Sequence, residues 1–278
     1  MDRQTYQKIY SSLHNFGDVF RLSEEHTRPA GMLATVLNQK VVKMTRFKHR
    51  KVYSREKELF LRWKQGRSIL ELAEYTYFPP ALMASLILKN CDLSRKSINW
   101  LFKHLDCIEN RRLRKEVRKA LEADYFFSPR AHEMQCKKGE MGEEIIRKWL
   151  DDRKISYCTE AEIRAQGDGK TPDFVLSDPI PIEDHMVRWI ESKALFGDDF
   201  EHKHYAKKQF REYADIFGEG MVVYWYGYLE DLNSEDEGYL IKDHSFFGEY
   251  KEQTDELFNY LVYWESLAKK EEKREKTI

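Results

Sequence analysis

Apolar residues in the first half of the chain recur at spacings of three and four, which is the period of an amphipathic helix. Two stretches, residues 18–43 and 57–90, show this pattern, each with one turn signal inside it. Helices paired around a short turn are typical of a helix-turn-helix unit. In the second stretch Gly66 ends one helix and Pro80 begins another. The pattern therefore predicts an all-α domain with two helix-turn-helix units over residues 1–130.

The pattern changes after the aromatic segment 125–129 to a mixture of helices and strands. The predicted elements are a helix over 139–154, strands near 155–158, 171–176 and 186–193, a helix over about 202–217, a strand over 221–226 and a long helix over 249–276. The proline-rich segment 177–181 is expected to form a long hairpin connection between the second and third strands. Residues 131–278 are thus predicted to form an α/β domain, a mixed sheet flanked by helices, with a C-terminal helix.

The net charge of -1 conceals two unequal halves. Residues 1–136 contain 26 Lys and Arg against 15 Asp and Glu, whereas residues 137–278 contain 21 against 33. A basic half suits a polyanionic partner, because Lys and Arg release condensed counterions from phosphates. The basic run at 40–67 predicts phosphate contacts, although a solvated linker is an equal alternative. Its candidate nucleic-acid-binding residues are Lys43, Arg46, Lys48, Arg50 and Lys51.

Composition and hydropathy exclude several classes of protein. The longest charge-free apolar stretch, 75–88, has 14 residues interrupted by prolines, whereas a membrane-spanning helix needs about 20. The first residues lack the apolar core of a secretory signal. We therefore expect no membrane partner and a location inside the cell. The cysteines follow neither zinc nor disulfide spacing and are expected to be buried free thiols; they are Cys91, Cys107, Cys136 and Cys158.

Charged residues meet at the ends of two predicted strands. Asp173 lies on one strand, and Glu191, Ser192 and Lys193 end the next, with 17 residues between Asp173 and Glu191. Strand alternation places Glu191 and Lys193 on one face and Ser192 on the other. Two carboxylates and a backbone oxygen suit Mg²⁺ or Mn²⁺, so the predicted metal ligands are Asp173, Glu191 and Ser192. A turn residue and an exposed cross-strand pair are the structural alternative.

These residues resemble the PD-(D/E)XK nuclease superfamily, with Pro172-Asp173 as the first half of its signature and Glu191-x-Lys193 as the second. Gly139-x-x-x-Glu143 looks like the motif-one glutamate of archaeal Holliday-junction resolvases, with Glu140 and Glu144 as alternatives. Gln209-x-x-x-Tyr213 looks like a motif of exonuclease branches. The resemblance implies a restriction-endonuclease-like fold and catalytic roles for Glu143, Asp173, Glu191, Lys193, Gln209 and Tyr213.

A closer resemblance is to the codanin-interacting nuclease family of eukaryotes. It rests on residues 77–84, 171–174, 189–194, 196–198 and 224–227, and it departs at the basic linker and after residue 243. The family implies helix-turn-helix units before a nuclease domain, a divalent metal, a location in nucleus and cytoplasm, and a codanin-type protein partner.

The sequence therefore predicts a divalent-metal-dependent deoxyribonuclease that selects the structure of its DNA rather than its base sequence. The alternative is a nuclease-like scaffold that binds protein partners, with weak or no cleavage. Asp198 and Asp199 are expected either to cap the next helix or to hold a second cation. We expect His202 to be exposed and Trp225 to lie in the core.

Overall fold

The computed structural model describes residues 1–165, 167, 169–232 and 238–260. It divides the chain into two compact units. Unit 1 comprises Met1–Leu37 and Lys137–Ile278, and unit 2 comprises Asn38–Cys136. This division differs from the predicted boundary after residue 130, because the first 37 residues pack with the second half of the chain.

The contacts of the N-terminal segment explain this membership. Arg3 forms ion pairs with Asp199 and Asp231. The ring of Tyr6 stacks on Phe196 with 5.3 Å between ring centroids. The first helices have no pattern that distinguishes them from those of unit 2, so the hydrophobic period alone could not assign them to the α/β unit.

Unit 2 is helical in the residues that the structure describes. Its helices after the long α3 (Ala30–Tyr53) are α4 Glu56–Lys64, α5 Ile69–Thr76, α6 Pro80–Lys89, α7 Arg95–Lys103 and α8 Arg111–Glu122. The predicted breaks are confirmed: Gly66 adopts φ +112° between α4 and α5, and Pro80 begins α6. The buried residues around which these helices pack include Leu59, Ile69, Leu72, Met83, Ile87 and Val117.

Local signals explain why α5 begins and ends where it does. Ser68 accepts a hydrogen bond from the Glu71 N–H while the Glu71 side chain returns to the Ser68 N–H, which forms a capping box. Tyr77 ends the helix in the left-handed conformation, with φ 49°. The capping hydrogen bonds and the following Pro80 fix a tight turn between α5 and α6.

Unit 1 begins with α1 (Arg3–Ser12) and α2 (Phe16–His26) and continues with the long α9, Pro129–Asp152, whose first turns belong to unit 2. The predicted helix at 139–154 is therefore confirmed but starts ten residues earlier in the structure. The remaining helices are α10 Glu160–Arg164, α11 Asp199–Tyr205, α12 Arg211–Phe217 and α13 over 251–260. The predicted C-terminal helix is present to residue 260, and its remainder lies outside the described residues.

A five-stranded mixed sheet forms the centre of unit 1, which confirms the predicted mixed sheet flanked by helices. The strands are β1 Tyr157–Thr159, β2 Phe174–Ile182, β3 His185–Lys193, β4 Gly220–Tyr224 and β5 Tyr239–Asp243, and they follow each other in that order across the sheet. β1, β2 and β3 are antiparallel, whereas β3, β4 and β5 run parallel. The predicted strands are present, and β5 is an additional strand.

The proline-rich segment was expected to be a connection, and this prediction was wrong. It belongs to β2, where Pro181 pairs with Met186 of β3. The register shifts between Val175 and Ile180, which leaves room for residues that cannot donate a ladder hydrogen bond. The turn itself is short and contains Glu183 with φ 53°.

Two predictions from composition concern membrane-spanning helices and the state of the cysteines. Among the described residues, no helix is both long enough and apolar enough to cross a membrane. The four cysteines are unpaired, as predicted. Their predicted burial was wrong, because Cys107 and Cys136 are exposed and the other two are half-buried.

Candidate active site

Asp173 and Glu191 are tied together by reciprocal hydrogen bonds at one end of the β2–β3 hairpin. The Asp173 N–H donates to Glu191 Oε2 at 3.2 Å. The Ser192 N–H donates to Asp173 Oδ2 at 2.7 Å. Each carboxylate therefore accepts a backbone hydrogen bond from the other residue's strand segment, which fixes their separation.

Strand alternation places the side chains of β3 as predicted. Lys193 Nζ donates to Glu191 Oε1, so these two side chains share one face. Ser192 points to the opposite face, where its Oγ accepts a hydrogen bond of 2.8 Å from Trp225 Nε1. Trp225 is buried in the core, as predicted. The face that carries Asp173, Glu191 and Lys193 is therefore separate from the face that packs on Trp225.

Burial determines the electrostatics of this site. Glu191 is 2% exposed, and burial together with the charge of Asp173 raises its pKa to about 7, although Lys193 opposes the shift. Burial also raises the pKa of Asp173. Burial opposes the charged form of Lys193, but the two carboxylates outweigh it and raise its pKa. The site thus holds two acids and one base in a poorly solvated space, and it has excess negative charge when both acids are ionised.

Glu143 lies within electrostatic reach of this pair. It is half-buried on α9, and burial followed by the charge of Asp173 raises its pKa. Of the two alternatives, Glu144 is exposed and forms an ion pair with Arg147 at 2.7 Å, and Glu140 is also exposed. Glu143 is therefore the best placed of the three acids to face the site.

A glycine that the sequence reasoning did not single out lets α9 approach the sheet. A Cβ atom at Gly142 would lie 2.3 Å from Trp225 Nε1 and 3.0 Å from Ser192 Oγ. A Cβ at Gly139 would meet none of the described atoms within 4 Å. Close packing at Gly142, one residue before Glu143, brings that acid to the site. The spacing from Gly139 identified the acid, but Gly142 positions it.

Gln209 and Tyr213 form a second hydrogen-bonded chain that reaches the backbone just before Asp173 and β2. Tyr213 OH donates to the carbonyl oxygen of Thr171 at 2.9 Å, and Gln209 Nε2 donates to Tyr213 OH at 3.2 Å. Burial and the charges of Glu191 and Asp173 raise the pKa of Tyr213, so it stays a neutral donor. The predicted i, i+4 contact is thus present.

The helix that carries these two residues is not the continuous α-helix that was predicted over 202–217. A π-helical turn, Ala206–Phe210, separates α11 from α12 and contains Gln209. Such turns occur frequently at functional sites. Within the described residues, Gln209 Oε1 is a buried acceptor without a hydrogen-bond partner. A buried acceptor of this kind suits a bound water or ligand.

Two further residues near the site were missed in the sequence. The Glu160 N–H donates to the Asp173 carbonyl at 3.1 Å, and the charge of Glu160 contributes to the raised pKa of Asp173. Tyr205 places its ring centroid 4.7 Å from Lys193 Nζ. The capping box Thr159-x-x-Glu162 was a readable signal for a helix start beside Glu160. The position of Tyr205 depends on tertiary packing and left no such signal.

The oxygen atoms at this site are those that a hard divalent cation prefers. Asp173 and Glu191 offer carboxylate oxygens, and Ser192 offers its backbone carbonyl. A cation would offset the excess negative charge that burial creates between the two acids. No group of three or more His, Cys, Asp or Glu side chains arranged to hold a metal occurs in the described part of the chain. Two carboxylates and one carbonyl are few protein ligands, which is the usual number for Mg²⁺ because it keeps several of its waters.

Other predicted residues around β3 have structural roles. Asp198 caps α11 by accepting hydrogen bonds from the Phe200 and Glu201 N–H groups, which is one of the two roles expected for it. Asp199 is paired with Arg3. The prediction that His202 is exposed was wrong: it is buried, with Nδ1 3.0 Å from Tyr224 OH.

The predicted nucleic-acid-binding residues all lie on α3, in the part that belongs to unit 2. Arg46, Arg50 and Lys51 are exposed, whereas Lys43 and Lys48 are half-buried. Lys48 Nζ donates to the Tyr77 carbonyl at 3.1 Å. The three exposed side chains are therefore the best placed to reach phosphates.

Comparison with known proteins shows the family to which this sequence belongs. Residues 109–245 match a family model described as "Protein of unknown function TPD sequence-motif". The chain is 36% identical over 186 residues to CDAN1-interacting nuclease 1 of Danio rerio, covering 63% of this chain and 61% of that protein. It is 32% identical over 219 residues to the protein of the same name in Xenopus laevis, with 74% and 72% covered. The chain belongs to the CDAN1-interacting nuclease 1 family.

The human member of the CDAN1-interacting nuclease 1 family is 34% identical over 182 residues, with 63% of this chain and 65% of the human protein covered. No solved structure matches the chain. The sequence Thr-Pro-Asp occurs at residues 171–173, inside the matched range and next to the hydrogen-bonded pair. All six predicted catalytic residues also fall inside residues 109–245.

Proposed function

We propose that the chain is a divalent-metal-dependent nuclease that hydrolyses DNA phosphodiester bonds. The observation that carries this proposal is the pair of half-buried Asp173 and buried Glu191, linked through backbone hydrogen bonds, with Lys193 on the same face as Glu191. The order of helix, antiparallel hairpin and parallel strand around it supports a PD-(D/E)XK fold. The name of the relatives, which includes the word nuclease, agrees with this chemistry.

Asp173, Glu191 and the carbonyl of Ser192 would hold Mg²⁺ or Mn²⁺. When bound, such a cation lowers the pKa of a coordinated water and neutralises charge on the phosphate. The ammonium group of Lys193 is held beside Glu191, where it can stabilise negative charge on a phosphate oxygen. Because this charge grows during the reaction, Lys193 contributes more to turnover than to binding.

Gln209 and Tyr213 act as positioning residues in this proposal. Tyr213 holds the carbonyl of Thr171, two residues before Asp173, and Gln209 holds Tyr213. This chain of hydrogen bonds orients the backbone that presents Asp173. Glu143 lies close enough to Asp173 for that charge to raise its pKa, and in this proposal it accepts a proton or orients a water molecule.

DNA would be held by the basic residues of α3, with helix-turn-helix units in the helical part of the chain. Contacts to phosphates carry no base information, so the proposal is a nuclease that selects the structure of its substrate. The relatives are named for an interaction with CDAN1. We therefore propose a codanin-type partner and a location in nucleus and cytoplasm. The second candidate is a protein-binding scaffold without catalytic turnover, which the word "interacting" in the name of the relatives favours.

The experiment is cleavage of labelled DNA by the purified full chain. Single-stranded, duplex, flap and junction substrates are incubated with Mg²⁺ or Mn²⁺, and with EDTA as the metal-free control. We expect cleavage only with metal, and loss of cleavage in Glu191→Gln. Glu249→Gln is the matched control, because Glu249 is an exposed acid of unit 1 that pairs with Arg153. Cleavage by Glu191→Gln at the wild-type rate would remove the site from the proposal.

Metal binding is tested separately from cleavage. The melting temperature of the wild-type chain should rise with Mg²⁺, because a ligand that binds only the folded state stabilises it. The same titration of Glu191→Gln should give a smaller rise or none. If millimolar Mg²⁺ or Mn²⁺ does not change the melting temperature of the wild-type chain, the result favours the scaffold without catalytic turnover.

A further inference from the structure

Phe47, Tyr75 and Tyr77 of unit 2 are exposed although aromatic rings are usually buried in folded proteins. Phe47 is 70% exposed, Tyr75 is 54% exposed and Tyr77 is 79% exposed. Phe47 lies on α3, Tyr75 in the last turn of α5, and Tyr77 in the turn after α5. Rings of this kind, if they cluster with charges, indicate a binding surface more than a packing defect.

Cations lie over two of these rings. The guanidinium carbons of Arg55 and Arg62 lie 5.5 and 5.1 Å from the ring centroid of Tyr75. Lys48 Nζ lies 5.3 Å from the ring centroid of Tyr77. We define these five residues as the aromatic-basic surface: Lys48, Arg55, Arg62, Tyr75 and Tyr77.

The aromatic-basic surface is held in place by hydrogen bonds. Glu58 accepts from Arg55 at 2.8 Å and from Arg62 at 2.9 Å, which fixes both guanidinium groups beside Tyr75. Lys48 donates to the carbonyl of Tyr77, whose own backbone is fixed in the left-handed conformation. A surface ordered before binding loses less conformational entropy when its ligand arrives.

The charge of the surrounding unit points to a polyanion. Residues 38–136 contain 22 Lys and Arg against 11 Asp and Glu. The first 37 residues contain four of each, so the basic excess of the first half of the chain belongs to unit 2 alone. A polyanionic ligand is attracted to such a unit at long range.

We infer that the aromatic-basic surface binds single-stranded nucleic acid, with bases stacked on the rings and phosphates beside the cations. Single strands bind proteins through this combination of aromatic faces and positive charge. A duplex offers phosphates but keeps its bases stacked on each other, so the exposed rings would be unused. An acidic peptide would likewise form ion pairs with the cations, but it offers no base to stack on the aromatic rings. The inference rests on the proposed nuclease and names the class of its substrate.

Binding is measured in EDTA, so that cleavage cannot influence the result. The full chain is titrated into fluorescein-labelled oligothymidylate, and fluorescence anisotropy gives the dissociation constant. A duplex of the same length and a poly-glutamate peptide serve as competitors. We expect the single strand to bind more tightly than the duplex, and the peptide to compete poorly at equal charge.

Variants separate stacking from charge. Tyr75→Ala with Tyr77→Ala should weaken single-strand binding about 25-fold or more, because each of the two lost base stacks is worth about five- to hundredfold, and should leave the salt dependence unchanged. Tyr75→Phe with Tyr77→Phe keeps both rings and should bind like wild type. Trp100→Ala is the matched control, since Trp100 is 50% exposed in the same unit but stacks on His104.

The outcomes are distinct from those of the cleavage assay. Equal affinity of the Ala and Phe double variants, both verified as folded by circular dichroism, would overturn the inference. A duplex that binds as tightly as the single strand, or a peptide that competes as well, would also overturn it. If the chain binds single strands in EDTA but cleaves no DNA with Mg²⁺, the inference about the aromatic-basic surface stands and the proposed nuclease activity is wrong.

Discussion

The two units differ in net charge and in the surroundings of their buried carboxylates. Unit 2 contains 22 basic and 11 acidic residues, whereas unit 1 contains 25 basic and 37 acidic residues. The cations beside the exposed rings of unit 2 lie on its surface, whereas the acids of the candidate site in unit 1 are partly or fully buried. The chain thus places long-range attraction for phosphates and the chemistry at a phosphate in different parts of its sequence.

A buried carboxylate of unit 2 makes the contrast clear. Asp124 is 1% exposed and accepts hydrogen bonds from the N–H groups of Ala81, Phe126 and Phe127 at 2.7–2.9 Å. Burial raises its pKa, while these donors oppose the shift. Glu191 is equally buried and Asp173 is half-buried, but each accepts one backbone hydrogen bond and their charged neighbours are a lysine and each other. An acid surrounded by N–H donors stabilises a fold, whereas paired acids with one cation suit a site.

The largest expected effect tests the chemical side of this comparison. Lys193→Met keeps the apolar stem and removes the ammonium, so cleavage under single-turnover conditions should fall about 10²- to 10³-fold. DNA affinity in EDTA should be unchanged, because unit 2 is untouched. Lys193→Arg should rescue poorly, since a planar guanidinium cannot occupy the place of a compact ammonium. Full cleavage by the Met variant would make Lys193 a structural partner of Glu191.

The second effect concerns the structural acid of unit 2. Asp124→Ala should lower the free energy of unfolding of unit 2 by about 2–4 kcal/mol, because three buried N–H groups lose their acceptor. Thermal denaturation followed by circular dichroism measures the loss. Asp106→Ala is the control, since the Asp106 side chain is 86% exposed. Equal stability of the two variants would contradict the structural role given to Asp124.

The third effect is a pH dependence in unit 1. Lys138 is buried with its Nζ 3.4 Å from Thr35 Oγ1, and burial lowers its pKa to about 7. The unfolded chain, with a lysine pKa near 10.5, therefore binds more protons between these two values. The free energy of unfolding should rise with pH above 7, by at most about 1.4 kcal/mol per pH unit.

Replacing the lysine should remove this dependence. Lys138→Met should be more stable than wild type at pH 7, and the difference should shrink as the pH rises towards 9.5. Lys148→Met is the control, because Lys148 is exposed on the same helix. Chemical denaturation at a series of pH values provides the measurement. Parallel curves for wild type and Lys138→Met would mean that the buried amine is charged throughout.

The smallest expected effect concerns the binding of DNA by the basic residues of α3. Changing Arg46, Arg50 and Lys51 to Gln should weaken binding to all duplex sequences alike. The slope of log affinity against log salt should fall by about 0.9 for each phosphate that the variant no longer neutralises. Base preference and the cleavage rate at saturating DNA should not change. A salt slope equal to that of wild type would show that this part of α3 is only a solvated surface.

Much of the fold could be predicted because its signals are local. The breaks at Gly66 and Pro80 depend on the backbone preferences of single residues. The alternation of Glu191, Ser192 and Lys193 depends only on the geometry of a strand. The proximity of Asp173 to Glu191 followed from the pairing of β2 with β3, although Asp173 was predicted on a strand and lies one residue before β2.

What could not be predicted depends on distant parts of the chain. His202 was expected to be exposed, but its surroundings are set by Tyr224 and Tyr239, from two other strands. Gly142 matters because Trp225 packs against it, and a sequence shows no such distance. The proline-rich part of β2 is tolerated through a register shift against β3. In each of these cases tertiary packing decided what local pattern left open.

The two backbone hydrogen bonds that link Asp173 to Glu191 and Ser192 have a consequence for how this site can change in evolution. Each acid accepts a backbone hydrogen bond from the other's strand, so the loss of one side chain leaves a donor unpaired and loosens its counterpart. Substitutions in such a pair are not additive. The first replacement should carry most of the loss of activity, and the second should add little. A lineage that has lost one of the two acids therefore has little reason to keep the other, and the pair should be retained or lost together.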